Sequence, residues 1–132
     1  MINFTKSYSP YNNISYPVEA QTTINPAVFV ALNASKNLVE ATDTAGLTVV
    51  GVSLQLADNS DLQSVAGDVL GRIAPFGVVS CAYDGLTKTD ILTDVYIKNN
   101  STIQAESAST NSIKAGLLID IDDNFATILI QI

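Results

Sequence analysis

The chain has 132 residues, of which 47% are hydrophobic and only 14% are charged, and its six basic and thirteen acidic side chains give a net charge of −7. This length suits one domain with one hydrophobic core. The excess of acidic residues argues against binding to nucleic acid or to anionic membranes, because Lys and Arg drive phosphate binding. The sequence contains no histidine and one cysteine, which excludes most catalytic triads and the zinc sites built from His and Cys. We therefore expect a soluble single domain that is not an enzyme and has no catalytic residue, metal or cofactor.

Residues 1–25 are predicted to form an extended N-terminal arm. In the stretch SYSPYNNISYP, Tyr8, Tyr11 and Tyr16 alternate with Asn, Ser and Pro. Pro10 and Pro17 impose extended backbone and lack the N–H that a strand ladder needs. A partly disordered tail is the alternative, but aromatic rings on an arm usually lie against a surface. The three tyrosines are therefore the candidate docking residues of the arm.

Residues 26–132 are predicted to form one all-β domain, because β-branched residues recur in short runs that suit pleated, half-buried positions. Turn signals rich in Asn, Asp, Ser and Gly separate these runs, which is typical of a small barrel or sandwich of antiparallel strands. The predicted strands are Ala27–Leu32, Leu38–Ala41, Thr48–Leu54, Val69–Ile73, Phe76–Cys81, Asp94–Lys98, Thr102–Ala105, Ala115–Asp120 and Phe125–Ile132.

The remaining local signals predict turns and short helical segments. Ala57–Asp61 has turn composition, and the apolar spacing in Asp58–Ala66 and in Leu86–Ile91 fits a short helical turn. The last strand, FATILIQI, is apolar on both faces, so it must be paired and buried, either in its own barrel or against another subunit. The preceding DIDDN predicts a tight hairpin turn.

Three candidate sites remain once catalytic groups are excluded. The oxygen-rich segment 120–124 lacks the glycine and the distal glutamate of an EF-hand loop, so a solvated hairpin turn is favoured over calcium binding. Cys81 ends an apolar strand without a histidine to activate it, which favours a buried structural role. Arg72 is the sole arginine, and we consider it a candidate for an intersubunit contact, with a surface ion pair as the alternative.

The order and spacing of segments from about Ala27 to the end resembles the small capsid decoration proteins (cement or head-stabilising proteins) of tailed bacteriophages. The resembling segments are Ala27–Leu32, AGLTVVGVSLQLADNS, Ala66–Val69, Phe76–Val79, DVYIKNNSTIQAESASTNS and AGLLIDIDDNFATILIQI.

The resemblance implies a β-rich, frequently trimeric protein without catalytic residues, on the outer capsid surface over junctions between major capsid subunits. We therefore expect a structural virion protein, made in the host cytoplasm, that binds the major capsid protein and forms a homo-oligomer, with a trimer favoured, without binding nucleic acid or membrane. In this reading the N-terminal arm is a docking strap. The alternative is a head-fibre base or a carbohydrate-recognition β module displayed on a virion.

Overall fold

The computed structural model describes residues 3–4 and 13–131, and the regular structure in this part of the chain is almost entirely β-strand, which confirms the predicted all-β class. Each predicted strand overlaps an observed one. The observed strands are β1 (Asn3–Phe4), β2 (Ile14–Pro17), β3 (Thr22–Ile24), β4 (Phe29–Leu32), β5 (Leu38–Glu40), β6 (Thr48–Ser53), β7 (Ala57–Asn59), β8 (Leu70–Ala74), β9 (Phe76–Asp84), β10 (Asp94–Asn99), β11 (Thr102–Gln104), β12 (Lys114–Ile121) and β13 (Ala126–Gln131).

Five strands close into a barrel in the order β9, β11, β10, β12 and β13, because β13 pairs with β12 on one side and with β9 on the other. The β11–β9 pair is parallel, and the other pairs of the barrel are antiparallel. Ile128 and Ile130 of β13 are buried in its core. The last strand is therefore paired within its own barrel. This is one of the two arrangements that its apolar sequence predicts, the other being pairing against another subunit.

A second sheet, in the order β2, β8, β6, β4 and β5, curls around a core of its own. Its two ends approach each other because Val18, directly after β2, forms a parallel bridge with Leu38 of β5. The Glu19 N–H also donates to the Leu38 carbonyl at 3.0 Å. A Cβ on Gly71 would stand 2.5 Å from Leu38 Cδ2, the end of a flexible side chain, so a larger residue at this position of β8 would require the Leu38 side chain to shift.

The β4 strand lies between the two cores. Phe29 and Ala31 face the barrel core, whereas Val30 faces the second core, as the alternation of side chains along a strand requires. A bulge in β6 opposite Val30 and Ala31 shifts the register, so that Val50 faces the second core while Val52 faces the barrel.

The structure places much of the predicted arm in the sheets. Ile14–Pro17 pairs with β8, Thr22–Ile24 pairs with β7, and Asn3–Phe4 pairs with β9. Val18 and Ile24 are buried in the second core, and their burial explains why this segment is bound to the sheet despite its polar composition. Among the described residues, β structure thus begins well before residue 26.

Two local predictions between residues 57 and 66 are wrong. Ala57–Asn59 is a strand because it pairs with β3, and this pairing buries Ala57 and Asn59. The Asn59 side-chain amide donates to the carbonyls of Val18, Glu19 and Val65 at 3.1–3.3 Å. The segment that follows forms turns instead of a helix. The predicted helical turn in 86–91 is present as a 3-10 turn at Lys88–Asp90. Within the described part of the chain, no helix has the length and apolar character needed to cross a membrane.

Candidate interaction surfaces

The structure describes one of the three candidate arm tyrosines, Tyr16, so a docking surface shared by all three stays a prediction. Tyr16 lies in β2 opposite Gly71, and its half-buried side chain packs against the second core. Tyr8 and Tyr11 lie outside the described residues. Tyr16 therefore contributes to packing of the second sheet.

Arg72 is exposed on β8, between the buried residues Gly71 and Ile73. Cross-strand pairing puts Ser15 opposite Arg72 and Pro17 opposite Leu70. The Leu54 N–H donates to the Arg72 carbonyl at 3.0 Å, which places Leu54 on the other flank of β8. Because paired residues share a face of the sheet, these five residues form one surface, here called the Arg72 face: Ser15, Pro17, Leu54, Leu70 and Arg72.

The Arg72 face is an extension of the sheet surface that the barrel covers. Ala74 follows Arg72 on the same side of β8, and Ala74 and its partner Val52 are buried. Toward the start of β8 the barrel no longer covers this side, and Leu70 is 57% exposed. The face is therefore an apolar sheet surface with one cation at its centre.

Arg72 has no carboxylate within ion-pair distance in the described structure. The ion pairs found there join Lys98 to Asp84 and Lys114 to Asp94, the second at 3.3 Å. The residues outside the described ranges contain no Asp or Glu. No acidic side chain of the same copy is thus available to Arg72 in this conformation.

A loop between β7 and β8, residues 60–69 and here called the Leu62 loop, presents apolar side chains to solvent. Leu62 is 83% exposed, and Val65 is also exposed. The sequence pattern predicts that these two residues share the apolar side of a helical turn, whereas the loop exposes both of them, which spacing alone cannot predict. The loop lines a cleft of about 600 Å³ together with Asp58 and Asn59.

Hydrogen bonds fix the shape of the Leu62 loop. Asp61 Oδ1 accepts the Gln63 N–H at 2.8 Å, and Asp68 Oδ2 accepts the Val65 N–H at 2.9 Å. The Ser64 hydroxyl donates to the Asn59 carbonyl at 2.9 Å and accepts the Gln21 N–H at 2.9 Å. The exposed leucine therefore stands on an internally bonded loop with carboxylates beside it.

Another exposed leucine lies on the barrel. Leu92 is 70% exposed and has φ +70°, a left-handed conformation that is rare for a bulky residue. Its N–H donates to the Leu118 carbonyl at 2.7 Å, and the Leu118 N–H donates to the Thr93 carbonyl at 3.0 Å. These bonds attach residues 88–93, here called the Leu92 turn, to β12, where Ile119 is exposed as well.

An acidic cleft of about 370 Å³ adjoins the Leu92 turn and is lined by Asp90, Asp94 and Glu106. The Tyr96 hydroxyl donates to Glu106 Oε2 at 2.7 Å. This hydrogen bond, with burial and the nearby negative charges, raises the pKa of Tyr96 to about 12. Tyr96 is therefore a neutral donor that holds the Glu106 carboxylate in the cleft.

The segment 120–124 forms the predicted hairpin turn between β12 and β13. Asp122 Oδ1 accepts the N–H groups of Phe125 and Asn124, each at 2.8 Å. These backbone hydrogen bonds, that from Phe125 first, lower the pKa of Asp122. In the described ranges, no group of three or more acidic or cysteine side chains is placed to hold a metal ion.

Cys81 is fully buried in the barrel core, and desolvation raises the pKa of its thiol to about 12. Its thiolate form is therefore scarce at neutral pH.

Comparison with known proteins does not assign a family. No protein-family model matches the sequence, and no curated protein matches it.

Proposed function

We propose that the chain is a structural virion protein that decorates or stabilises a phage capsid by binding the outer surface of the major capsid protein lattice. It acts as a homo-oligomer, with a trimer favoured. The resemblance of the segment order to capsid decoration proteins supports this proposal. The single observation that carries it is the Leu92 turn, which holds an exposed leucine in a strained conformation on a closed barrel.

Backbone strain in a bulky residue costs about 1–3 kcal/mol and is often found at binding sites. Leu92 combines this cost with an apolar side chain left in water, so neither feature stabilises the isolated chain. Burial of a leucine side chain against a partner contributes ~1.5–3 kcal/mol. The turn is thus suited to insertion into an apolar pocket of another protein.

The charges around Leu92 indicate the chemistry of that partner. Asp90 lies in the turn, Asp94 directly follows it, and the adjoining cleft also contains Glu106. These three carboxylates outnumber the nearby cations, which are Lys88 of the turn and Lys114, the ion-pair partner of Asp94. Basic side chains around an apolar pocket of the shell protein would complement this arrangement and would accelerate docking. Symmetric copies multiply such weak contacts on a lattice.

The test is co-sedimentation with shells assembled from the major capsid protein of the same virus. We expect saturable binding by the unchanged chain and at least about tenfold weaker binding by Leu92→Asn. Asn tolerates a positive φ, so this variant should be as thermally stable as the unchanged chain or more so. Lower binding without lower stability identifies a contact residue and not a folding residue.

Leu56→Asn is the matched control, because Leu56 is another exposed leucine that lies away from the Leu92 turn in the sequence, and it should bind shells normally. Failure of the unchanged chain to bind shells would overturn the proposal. Saturable binding to carbohydrates in a glycan screen, without shell binding, would instead support the recognition-module alternative.

A further inference from the structure

We infer that the Arg72 face of one copy binds the Leu62 loop of a second copy, with Arg72 paired to Asp61 and with Leu62 packed against Leu70. This inference deepens the proposed function and rests on it, because a decorating homo-oligomer needs a contact between its copies.

Charge complementarity identifies the occupant of the Arg72 face. A guanidinium on an apolar surface favours a partner that offers a carboxylate beside an apolar side chain. A second copy offers both in adjacent positions, because Asp61 precedes the highly exposed Leu62. The Asp61 carboxylate accepts the Gln63 N–H, and a carboxylate has room for about four hydrogen bonds, so it can accept the guanidinium as well.

The two surfaces do not cover each other within one copy. Leu62 and Leu70 are both exposed, although Leu70 begins the strand that directly follows the loop. The contact therefore joins two different patches on two copies. Repetition of such a head-to-tail contact closes a ring when the rotation fits, and a three-fold ring is the trimer of the proposed function.

Cross-linking of mixed single-cysteine variants tests the contact directly. Because Cys81 is buried, introduced cysteines are the reactive ones in the folded protein. Under mild oxidation, Leu62→Cys mixed with Leu70→Cys should give a disulfide-linked pair. The matched control is Leu62→Cys mixed with Ala34→Cys, an exposed position in the β4–β5 turn, which should remain unlinked. Absence of the first product, or equal amounts of both, would overturn the inference.

Charge reversal tests the ion pair through the dissociation constant for self-association, measured by sedimentation. Arg72→Asp and Asp61→Arg should each raise that constant by at least about tenfold. The double variant places the reversed pair at every contact, so it should associate within about threefold of the unchanged chain. A double variant as weak as the single variants, or an unchanged chain that stays monomeric at high concentration, contradicts the inference.

The outcomes for self-association and for shell binding are independent. An oligomer that depends on Arg72 and Asp61 but does not bind shells would refute the proposed function and support this contact. Shell binding by a chain whose copies do not cross-link would refute the contact and leave the proposed function standing. Leu92→Asn should retain the oligomer in either case.

Discussion

The carboxylate of Asp43 connects two loops that belong to different sheets. Asp43, in the loop after β5, accepts the N–H of Thr110 at 2.8 Å and the N–H of Asn111 at 2.9 Å. The Asn111 side-chain amide donates to the Asp43 carbonyl at 2.7 Å. One aspartate therefore holds the segment before β12 against the second sheet.

Asp43→Asn should lower the thermal midpoint at pH 7 and leave it nearly unchanged near pH 2. The hydrogen bond from the Thr110 N–H is the largest cause that lowers the pKa of Asp43 below 3.8 in the folded chain. Because the pKa of this carboxyl group is lower in the folded chain than in the unfolded chain, the ionised group stabilises the fold above about pH 4. This stabilisation is lost as the pH falls through the pKa of the group in the folded chain. Thermal melts between pH 2 and pH 7 measure this difference. Asp123→Asn, at an exposed turn position, is the control, and an equal pH profile for both variants would contradict the assignment.

Cys81 should react with a maleimide only after the chain unfolds. Because burial raises its pKa to about 12, about one thiol in ten thousand is ionised at pH 8, and the side chain is also inaccessible. Labelling followed by intact-mass measurement should show almost no modification in buffer and full modification in denaturant. Rapid labelling in buffer would mean that the barrel opens locally around β9.

Strands were predictable from sequence where their own residues favour β structure. β4, β6, β9 and β13 are rich in Val, Ile and other apolar residues, and their bounds agree with the prediction within a few residues. β7 was not predictable, because Ala, Asp and Asn are poor strand formers and this strand depends on its pairing with β3. Whether a segment of poor strand formers becomes a strand depends on its pairing partner in the folded chain.

The candidate surfaces depend on packing that sequence does not report. Arg72 could be selected as the sole arginine, but its apolar surroundings follow from the extent of the barrel over the second sheet. Leu62 and Leu92 are leucines like those in the core, and only the structure distinguishes an exposed leucine from a buried one. Which side chains of a sheet are exposed depends on which other elements pack over that sheet.

Gly51→Ala should destabilise the second sheet by about 3 kcal/mol, because two costs add there. Gly51 has φ +148°, and a Cβ would stand 2.1 Å from the Ala74 carbonyl oxygen. Gly85→Ala is the matched variant, since Gly85 has φ +71° but open space around it, and it should cost about 1 kcal/mol. Urea denaturation gives both values. Equal costs would show that the close approach of β6 and β8 relaxes without penalty.

On the scale of the whole molecule, the barrel and the second sheet share structure and do not form separate domains. The barrel core includes Phe29, Ala31 and Val52 from the second sheet, together with Ala41, which directly follows β5. The Phe29 N–H also donates to the Asn100 carbonyl at 2.8 Å, across to the β10–β11 turn. Neither core is complete without β4, so the two cores should form and unfold together.

Truncation of Phe29 or of Val30 on β4 should therefore destabilise both halves of the molecule equally. Phe29→Ala opens the barrel core and should cost about 3–5 kcal/mol, whereas Val30→Ala opens the second core and should cost about 2 kcal/mol. Hydrogen exchange read by mass spectrometry compares β13, in the barrel, with β8, in the second sheet. In each variant the protected amides of both strands should exchange faster by the same factor, because both exchange through one cooperative unfolding. If Val30→Ala accelerated exchange in β8 alone, the second sheet would be an independent unit, and the fusion of the two cores through β4 would be refuted.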